Sequence, residues 1–521
     1  MNTSIERMAG IQDRRERIPI NIPSYDDLVK LSGLSKDVFP PEKYDSYKEE
    51  IRREVKLVVA LLEEFGRITK TMDEAEGKSP LLDTMTRVAV EHLRALQTRL
   101  ANIQDQGDLF PSRPRQFLVE LQLDELLNDL REFKFVLTNL QSMGAWQSPS
   151  LEHSVREHVG VGQKLEPDLI ALYARYDLSP KRMEQTLQDA LELDKDVHGE
   201  TILVNSGMSA ITIATAAVTK SLDASSHVLG QEDSYFENEK HLLSMVDRKD
   251  FAEFSIEKPA HFLDAILRED PQVIFFEPVG NSPHMPFINP EAVLRTPTNH
   301  SKRYVIMDYT ASGSLLEVNR LAHVLDDSTV LLAVTSLQKL YEEGHDVASG
   351  GMVNVITRSK VGQEIVVDLR VARTMIGGQM STSSLGLLSR LSPERIRQHG
   401  LSIGKNVRDL AEALKDIPGV HVWRGPDVED GQALSAFFYL EFQQAGIPRK
   451  VEDSLLKKAR AHGIELTVGS SFGFRSTRIF AGDGSIRVCP GVENSRQLAV
   501  LQEIFREAIK EAQAEGNDFE N

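Results

Sequence analysis

Two charged residues follow apolar runs that have the pattern of buried strands. Asp308 ends the run Tyr304 to Met307, and Lys339 comes five residues after the run Val330 to Val334. A lysine amine becomes a nucleophile when burial or neighbouring positive charge disfavours its charged form. Ligands of α/β sheets collect at the carboxyl ends of the strands. The two residues therefore predict one site, in which Lys339 forms a Schiff base.

A turn of small residues supplies a third part of this site. The predicted strand Thr201 to Val204 runs into Asn205-Ser206-Gly207, and a helix is predicted from Ala210 to Val218. Backbone N–H groups at the start of a helix bind anions, and glycine lets the backbone approach them closely. Pyridoxal phosphate requires a lysine for its aldehyde and a carboxylate for its ring nitrogen, and its phosphate needs a cradle. The sequence thus predicts pyridoxal 5'-phosphate as the cofactor.

Short motifs occur in a fixed order between about residues 165 and 510. They are Tyr173-Ala174-Arg175, Ser206-Gly207-Met208, Tyr235, Glu277 to Asn281, Asp308-Tyr309-Thr310, Ser336 to Lys339, Ser485 to Val488 and Glu493-Asn494. In this order they resemble the Cys/Met-metabolism family of pyridoxal phosphate enzymes, the cystathionine gamma-synthase and gamma-lyase type. The resemblance implies an α/β fold of type I. In that fold, helices flank a mostly parallel sheet of the seven-stranded type, and a smaller C-terminal α+β domain follows.

The resemblance also implies a role for each motif residue. Lys339 would hold the cofactor and move protons, Tyr235 would stack on the cofactor ring, and Asp308 would bond the ring nitrogen. Arg487 would bind the substrate carboxylate, since a guanidinium offers it two parallel hydrogen bonds, and Ser471 would lie near the substrate. The implied cofactor contacts are Gly207, Met208, Tyr235, Asn281, Asp308, Thr310, Ser336, Gln338 and Lys339, with Tyr173 and Arg175 from a neighbouring subunit.

Two departures from the family pattern bear on specificity. Gln338 stands where the family most often has threonine before the lysine, which alters one phosphate contact. After Tyr235 the chain continues Phe236-Glu237-Asn238-Glu239, where methionine gamma-lyases place glycine and a cysteine. A cysteine-assisted methionine lyase is therefore disfavoured. The two glutamates select a different substrate side chain if they point inward, and form a solvated acidic turn otherwise.

Apolar periodicity divides the chain into three predicted domains. Residues 1–150 form an N-terminal helical extension, because three apolar runs at helical spacing occur between Ile51 and Leu140. Residues 151–390 alternate strands and helices and form the large cofactor-binding α/β domain, and residues 391–521 form the smaller α+β domain. The extension goes beyond the family pattern. It either extends an oligomer interface, covers the site entrance or acts as a separate binding module.

The composition excludes several classes of protein. The chain has 521 residues and 41% hydrophobic content, so it can bury a large core. Its net charge of -18 disfavours nucleic acid and anionic membranes as partners, and no apolar run reaches the ~20 residues of a membrane span. The single cysteine, Cys489, excludes an internal disulfide, and no metal site is predicted. Met1 to Arg17 has no secretory signal pattern, so a cytoplasmic location is expected.

These observations predict a pyridoxal phosphate-dependent enzyme that acts on an L-amino acid, and the resemblance implies a lyase or transferase. The resemblance implies that a group on the gamma carbon is eliminated or replaced, and that the enzyme is a homodimer or homotetramer with shared active sites. One alternative is a specialised enzyme that removes halide from a gamma-chlorinated unsaturated amino acid and leaves a terminal alkyne. Another is a scaffold without activity, against which the presence of both Lys339 and Arg487 argues.

Overall fold

The chain divides into two compact units. In a computed structural model the described residues are 24–32, 34–74, 80–105, 119–144, 181–220, 222, 227–231, 234–245, 251–254, 259–346, 348–359, 362–381, 384–385, 388, 393–428, 431–444 and 446–517. The first unit comprises Met1–Gly144, Ala461–Ile464 and Asn494–Val500, and the second comprises Ala145–Arg460, Glu465–Glu493 and Leu501–Asn521. The division into three domains stays a prediction.

The first unit is built from amphipathic helices. They are α1 (Tyr25–Ser32), α2 (Pro41–Glu74), α3 (Pro80–Asp105) and α4 (Val119–Gly144). The three apolar runs noted in the sequence lie in α2, α3 and α4. Their apolar side chains recur every three to four residues, so they fall on one face of each helix. These faces meet in one core, in which Ile51, Leu93 and Leu127 are buried.

A buried charge pair lies inside the first unit. Glu120, in the first turn of α4, forms an ion pair with Arg496, which belongs to the last described helix of the chain (Ser495–Asn517). The two side chains are 0% and 1% exposed. The Tyr47 hydroxyl donates a hydrogen bond of 2.5 Å to the other carboxylate oxygen of Glu120, and burial, with the Glu120 charge, raises the pKa of Tyr47 well above its usual value. Loss of either charged partner would leave the other buried without compensation.

The second unit contains a sheet of seven strands in the order β1-β7-β6-β5-β4-β2-β3. They are β1 (His198–Val204), β2 (Val228–Gln231), β3 (Phe251–Phe254), β4 (Val273–Phe276), β5 (Arg303–Asp308), β6 (Thr329–Ser336) and β7 (Gly351–Thr357). Strand β7 is antiparallel to both neighbours, and the other pairs are parallel. The sequence predicts strands at the positions of all seven except β3, because Glu253 interrupts the apolar sequence of that strand.

Helices and two apolar cores flank this sheet. The helices are α5 (Lys181–Asp189), α6 (Gly207–Thr219), α7 (Phe236–Met245), α8 (Pro259–Glu269), α9 (Pro290–Leu294) and α10 (Gly362–Met375), with short 3-10 helices at Gly313–Leu315, Val318–Val324 and Leu340–Glu342. Successive side chains of β5 enter different cores: Val305 and Met307 share one with Phe262 of α8, whereas Tyr304 and Ile306 share the other with α6. A strand buried on both faces needs no polar alternation, which explains its continuous apolar sequence.

A smaller sheet of five strands has the order β10-β11-β12-β9-β8. Its strands are β8 (Val420–Arg424), β9 (Phe438–Phe442), β10 (Leu466–Val468), β11 (Thr477–Ala481) and β12 (Ser485–Cys489), and the helices of this part of the chain are α11 (Pro393–Leu414), α12 (Ile447–Ala461) and α13 (Ser495–Asn517). The sequence predicts a helix from about Lys405 to Leu414, and helix α11 begins well before it, at Pro393. Gly404 lies within it, and a Cβ there would lie 2.8 Å from the Ala433 carbonyl oxygen. This glycine permits close packing and does not end the helix.

None of the described helices combines the length and the apolar character that crossing a membrane requires.

Candidate active site

The carboxyl ends of β4, β5 and β6 meet at one edge of the large sheet, because these strands are adjacent and parallel. Glu277 follows β4, Asp308 ends β5, Ser336 ends β6, and Lys339 comes three residues later. Thr310 links two of these strand ends. Its hydroxyl donates to the Asp308 carboxylate at 2.6 Å and accepts from the Ser336 N–H at 3.0 Å. The two residues that first predicted the site therefore stand at one sheet edge.

Asp308 is buried, and both of its carboxylate oxygens accept hydrogen bonds. Oδ1 accepts from the Thr310 N–H at 3.0 Å and from its hydroxyl, and Oδ2 accepts from the Asn238 side-chain amide at 3.1 Å. Burial raises the pKa of the Asp308 carboxyl, and these donors oppose the rise because they stabilise the ionised form. A carboxylate held in this way is suited to bind a cationic ring nitrogen.

Lys339 is partly buried, and its amine makes a polar contact across the site. Nζ donates a hydrogen bond of 2.6 Å to Ser471 Oγ. Burial lowers the pKa of Lys339; Asp346 opposes this shift, while the nearby guanidinium groups of Arg487 and Arg478 add to it. At a given pH, Lys339 therefore carries the neutral amine, which is the nucleophilic form, more often than a solvated lysine does.

The loop that carries Ser471 is pressed against the backbone of Lys339. Gly473 has a φ of +90°, and a Cβ there would lie 2.5 Å from the Lys339 carbonyl carbon. Only glycine combines this backbone conformation with so close an approach. His399 Nε2 donates to the Gly473 carbonyl oxygen at 2.9 Å, and burial lowers the pKa of His399 to about 4, so a neutral imidazole holds the loop.

Arg487 on β12 presents a guanidinium among aromatic rings. Its carbon atom lies 3.6 Å from the centroid of the Phe437 ring and 5.6 Å from that of Phe472. One terminal nitrogen donates to Asn281 Oδ1 at 2.8 Å and lies 3.4 Å from the Tyr439 hydroxyl. Within the described part of the chain, the buried Nε has no hydrogen-bond partner. A buried donor without a partner is costly, so this nitrogen is available for an anionic ligand.

The start of α6 packs against the end of β6. Ser206 is the N-cap residue of this helix, and its hydroxyl accepts from the Ser209 N–H at 3.1 Å. A Cβ on Gly207 would lie 2.9 Å from the Ser336 Cβ, so glycine is needed for this contact. Backbone N–H groups and the helix dipole at the start of a helix favour a bound anion.

Tyr235 comes directly before α7, and its side chain is partly exposed. The residue is 37% exposed, and the centroid of its ring lies 4.8 Å from that of Phe236. Burial raises the pKa of the Tyr235 hydroxyl, and the half-buried Glu237 beside it raises the pKa further. The backbone N–H of Tyr235 donates to Glu277 at 2.5 Å. The Tyr235 turn is thus attached to the strand edge through Glu277.

The structure brings most of the predicted site residues together. Those linked at this edge of the sheet are Gly207, Tyr235, Asn281, Asp308, Thr310, Ser336, Lys339, Ser471 and Arg487. Gln338 is half-buried, and the Met208 side chain packs against the core that α6 shares with the sheet. Tyr173 and Arg175 lie outside the described residues.

Sequence reasoning assigned no site role to Asn238, Phe437 or Phe472. Asn238 contacts Glu277 and Asp308, which are 39 and 70 residues away in the chain. The two aromatic residues meet Arg487 only because β9, β12 and the loop before β11 converge. Asn238 and Phe472 lie in segments that the sequence had already placed near the site, but contacts between distant segments leave no local pattern, so the partners of these side chains could not be predicted.

Comparisons with known proteins agree with the architecture, although no protein-family model matches the chain. The bifunctional enzyme flvA of Aspergillus flavus is 23% identical over 328 residues, a match that covers 58% of this chain and 37% of that enzyme. The chain therefore spans little more than a third of this curated relative. Cystathionine gamma synthase from Xanthomonas oryzae pv. oryzae is 18% identical with a TM-score of 0.50, covering 65% of this chain and 86% of the synthase. A methionine gamma lyase from Micromonospora echinospora has a TM-score of 0.48 at 18% identity, covering 64% and 86%.

The likeness to the synthase confirms the predicted fold class. The chain has a mixed α/β fold with a mostly parallel central sheet, the fold type I architecture of pyridoxal phosphate enzymes. Fold alone does not fix the reaction.

Proposed function

We propose that the chain is a cytoplasmic pyridoxal phosphate enzyme that eliminates or replaces a group on the gamma carbon of an L-amino acid. It would be a divergent member of the Cys/Met-metabolism family with an N-terminal helical extension. One observation carries the proposal: the partly buried Lys339 amine, the buried Asp308 carboxylate and the start of α6 lie at one edge of the large sheet. Cystathionine, the ligand of the structurally similar synthase, also supports this substrate class.

The residues at this edge fit the cofactor. Lys339 would hold the aldehyde carbon, Asp308 the ring nitrogen, and the N–H groups at the start of α6 the phosphate. Gly207 leaves open the space that a Cβ would fill beside Ser336. When bound, pyridoxal phosphate supplies an aldehyde that joins an amino group and a ring that accepts electrons from an adjacent carbanion.

Arg487 is the group best placed to orient the substrate. Its unpartnered Nε and its terminal nitrogens match the two oxygens of an amino-acid carboxylate. Phe437 and Phe472 pack around the guanidinium and exclude water, which strengthens the charge-assisted hydrogen bonds. Asn281 Oδ1, which accepts from Arg487 at 2.8 Å, fixes the guanidinium before the substrate arrives.

Lys339 is the proton carrier of the proposed reaction. Its neutral amine would take the proton from the substrate alpha carbon and release it again to the electron-accepting cofactor. Neutral once more, the amine would take a proton from the beta carbon, and the group on the gamma carbon would depart with its bonding electron pair. Ser471 Oγ, 2.6 Å from the amine, orients it. Tyr235, whose hydroxyl keeps its proton because burial raises its pKa, can protonate the departing group.

The leaving group can be identified by a substrate panel. Purified protein with pyridoxal phosphate would be offered cystathionine, methionine, an O-acylhomoserine and gamma-chlorinated allylglycine, and the release of thiol, carboxylate or chloride would be measured. We expect one of these compounds to be consumed with a change in visible absorbance. Chloride release would select the alkyne-forming alternative. A protein that stays colourless with the cofactor, or consumes none of the panel, would contradict the proposed function.

A second copy of the chain is expected to complete the active site. Helix α10 exposes apolar side chains at successive turns, Val367 at 62%, Val371 at 49% and Met375 at 80%, although water-exposed apolar stripes are unfavourable. The loop after α10 contacts the turn before α6, where the cofactor phosphate would bind, since the Gly378 carbonyl oxygen accepts from the Asn205 N–H at 2.8 Å. We expect light scattering to give the mass of a homodimer or homotetramer. A fully active monomer would contradict this prediction.

A further inference from the structure

Glu277 and Asp308 form a pair of buried carboxyl groups in the site. Their residues are 5% and 7% exposed. Asn238, which is 0% exposed, donates from Nδ2 to Glu277 Oε1 at 2.9 Å and to Asp308 Oδ2 at 3.1 Å. One amide nitrogen therefore bridges two acidic groups at the ends of neighbouring strands.

The backbone fixes Asn238 at this bridge. It lies in the first turn of α7, where its N–H donates to the Tyr235 carbonyl oxygen at 2.7 Å. The Tyr235 N–H donates to the same oxygen of Glu277 that accepts from the amide. The Glu277 N–H in turn donates to Gln231 Oε1 at 2.7 Å. The bridge is thus held from α7, β4 and β2, and Asn238 cannot leave it without moving the turn that carries Tyr235.

Two carboxyl groups in one buried site favour a pair with one proton between them. Burial raises the pKa of Glu277 well above its usual value, and the Asp308 charge raises it further. Hydrogen bonds from Asn238 lower the pKa of both groups. The other ionisable groups facing the pair are Arg487 from β12, which lowers the pKa of Glu277, and the hydroxyls of Tyr235 and Tyr309.

We infer that Asn238 is a positioning residue that keeps Asp308 ionised by donating to its carboxylate, while Glu277 carries the proton of the pair. The inference rests on the proposed function, because ionised Asp308 is the form that binds the protonated ring nitrogen of pyridoxal phosphate. In the Phe236-Glu237-Asn238-Glu239 segment, Asn238 is therefore the residue that faces the site. Among the side chains described there, it is the one that is fully buried.

Two substitutions of nearly unchanged shape separate the two roles. Asn238→Asp removes the donor and adds a third carboxyl group, so Asp308 ionises only at higher pH. Glu277→Gln imitates the protonated carboxyl group, because its side-chain oxygen still accepts from Asn238 and Tyr235, so Asp308 ionises over the same pH range as in the wild type. The measurement is the dissociation constant of pyridoxal phosphate between about pH 5 and 9, divided by the wild-type value at each pH. This ratio cancels the titration of the cofactor itself.

We expect Asn238→Asp to weaken cofactor binding by at least about tenfold near neutral pH and to regain affinity as pH rises, since one charged hydrogen bond is lost and a like charge is added. Glu277→Gln should keep a constant ratio to the wild type from acid to neutral pH, because the carboxyl group that it replaces is already neutral there. A constant ratio for Asn238→Asp would mean that Asn238 acts through shape alone, and a ratio for Glu277→Gln that changes in the acid range would mean that Glu277 is ionised. Either result would overturn the inference.

The folded state of each cofactor-free variant is checked by circular dichroism at every pH. If Asn238→Asp does not fold, Asn238→Ala removes the donor without adding charge. The pH dependence of its dissociation-constant ratio is expected to shift in the same direction by less. Glu277→Gln remains an independent test. A wild-type protein that does not bind pyridoxal phosphate would overturn the proposed function and this inference with it. Normal wild-type binding with a pH-independent ratio for Asn238→Asp, or with a ratio for Glu277→Gln that changes in the acid range, would overturn the inference alone.

Discussion

Lys339→Ala is expected to lose the visible absorbance of the bound cofactor and to reduce turnover by at least about 10³-fold, because the base and the group that holds the aldehyde are removed together. The structure gives the reason in the environment of the amine. Its pKa is lowered by burial and by two guanidinium groups, and Ser471 orients it at 2.6 Å. Absorbance titration with pyridoxal phosphate and steady-state kinetics on the active substrate measure the two losses.

Lys220→Ala is the matched control for this substitution. Lys220 is a solvated lysine whose side chain is 69% exposed and pairs with Asp368 at 2.5 Å, so its removal should leave absorbance and turnover unchanged. The cofactor-free Lys339→Ala protein should unfold close to the wild-type denaturant concentration. Burial disfavours the charged lysine in the folded state, so this side chain contributes little stability below its unfolded pKa. Retained turnover in Lys339→Ala would contradict the role of Lys339, whereas a wild-type protein that turns over none of the panel would favour the inactive-scaffold alternative.

Arg496→Ala is expected to lower the free energy of unfolding of the helical unit by about 3–5 kcal/mol, because Glu120 would remain buried without its countercharge. Tyr47 would still donate to Glu120, but a neutral hydroxyl does not replace a guanidinium. Denaturant unfolding followed by helical circular dichroism measures the loss as a lower midpoint of the unfolding transition.

Arg52→Ala serves as the control. Arg52 pairs with Glu49 on the surface of α2, and the two side chains are 54% and 64% exposed. The expected loss in the free energy of unfolding is below about 1 kcal/mol. A double variant, Arg496→Met with Glu120→Leu, should recover much of the loss, because it removes both charges and keeps the apolar volume. Equal, small losses for Arg496→Ala and Arg52→Ala would show that Glu120 is solvated in the absence of its partner, contrary to this prediction.

Local pattern predicted the strands that position the chemistry. Strands β4, β5 and β6 are buried on both faces, so their sequences are uninterrupted apolar runs that can be recognised without the fold. The polar residues that end such runs, Asp308 and the segment before Lys339, must then emerge at one sheet edge. Two elements escaped prediction, the edge strand β3 and the first half of α11. Glu253 interrupts the apolar sequence of β3, and Gly400 and Gly404 in α11 are typical of irregular structure when the packing is not known.

By itself, the sequence determined the fold class, the strand-end acid and lysine, and the small-residue turn, since each depends on residues adjacent in the chain. Only the tertiary structure decided which groups meet them. Ser471 reaches Lys339 across 132 residues, and Asn238 bridges acids from two strands. Likewise, Arg496 near the end of the chain neutralises Glu120 within the helical unit. The physical reason is that burial and charge pairing depend on distances in space, which strand order and helix packing set and which local periodicity does not encode.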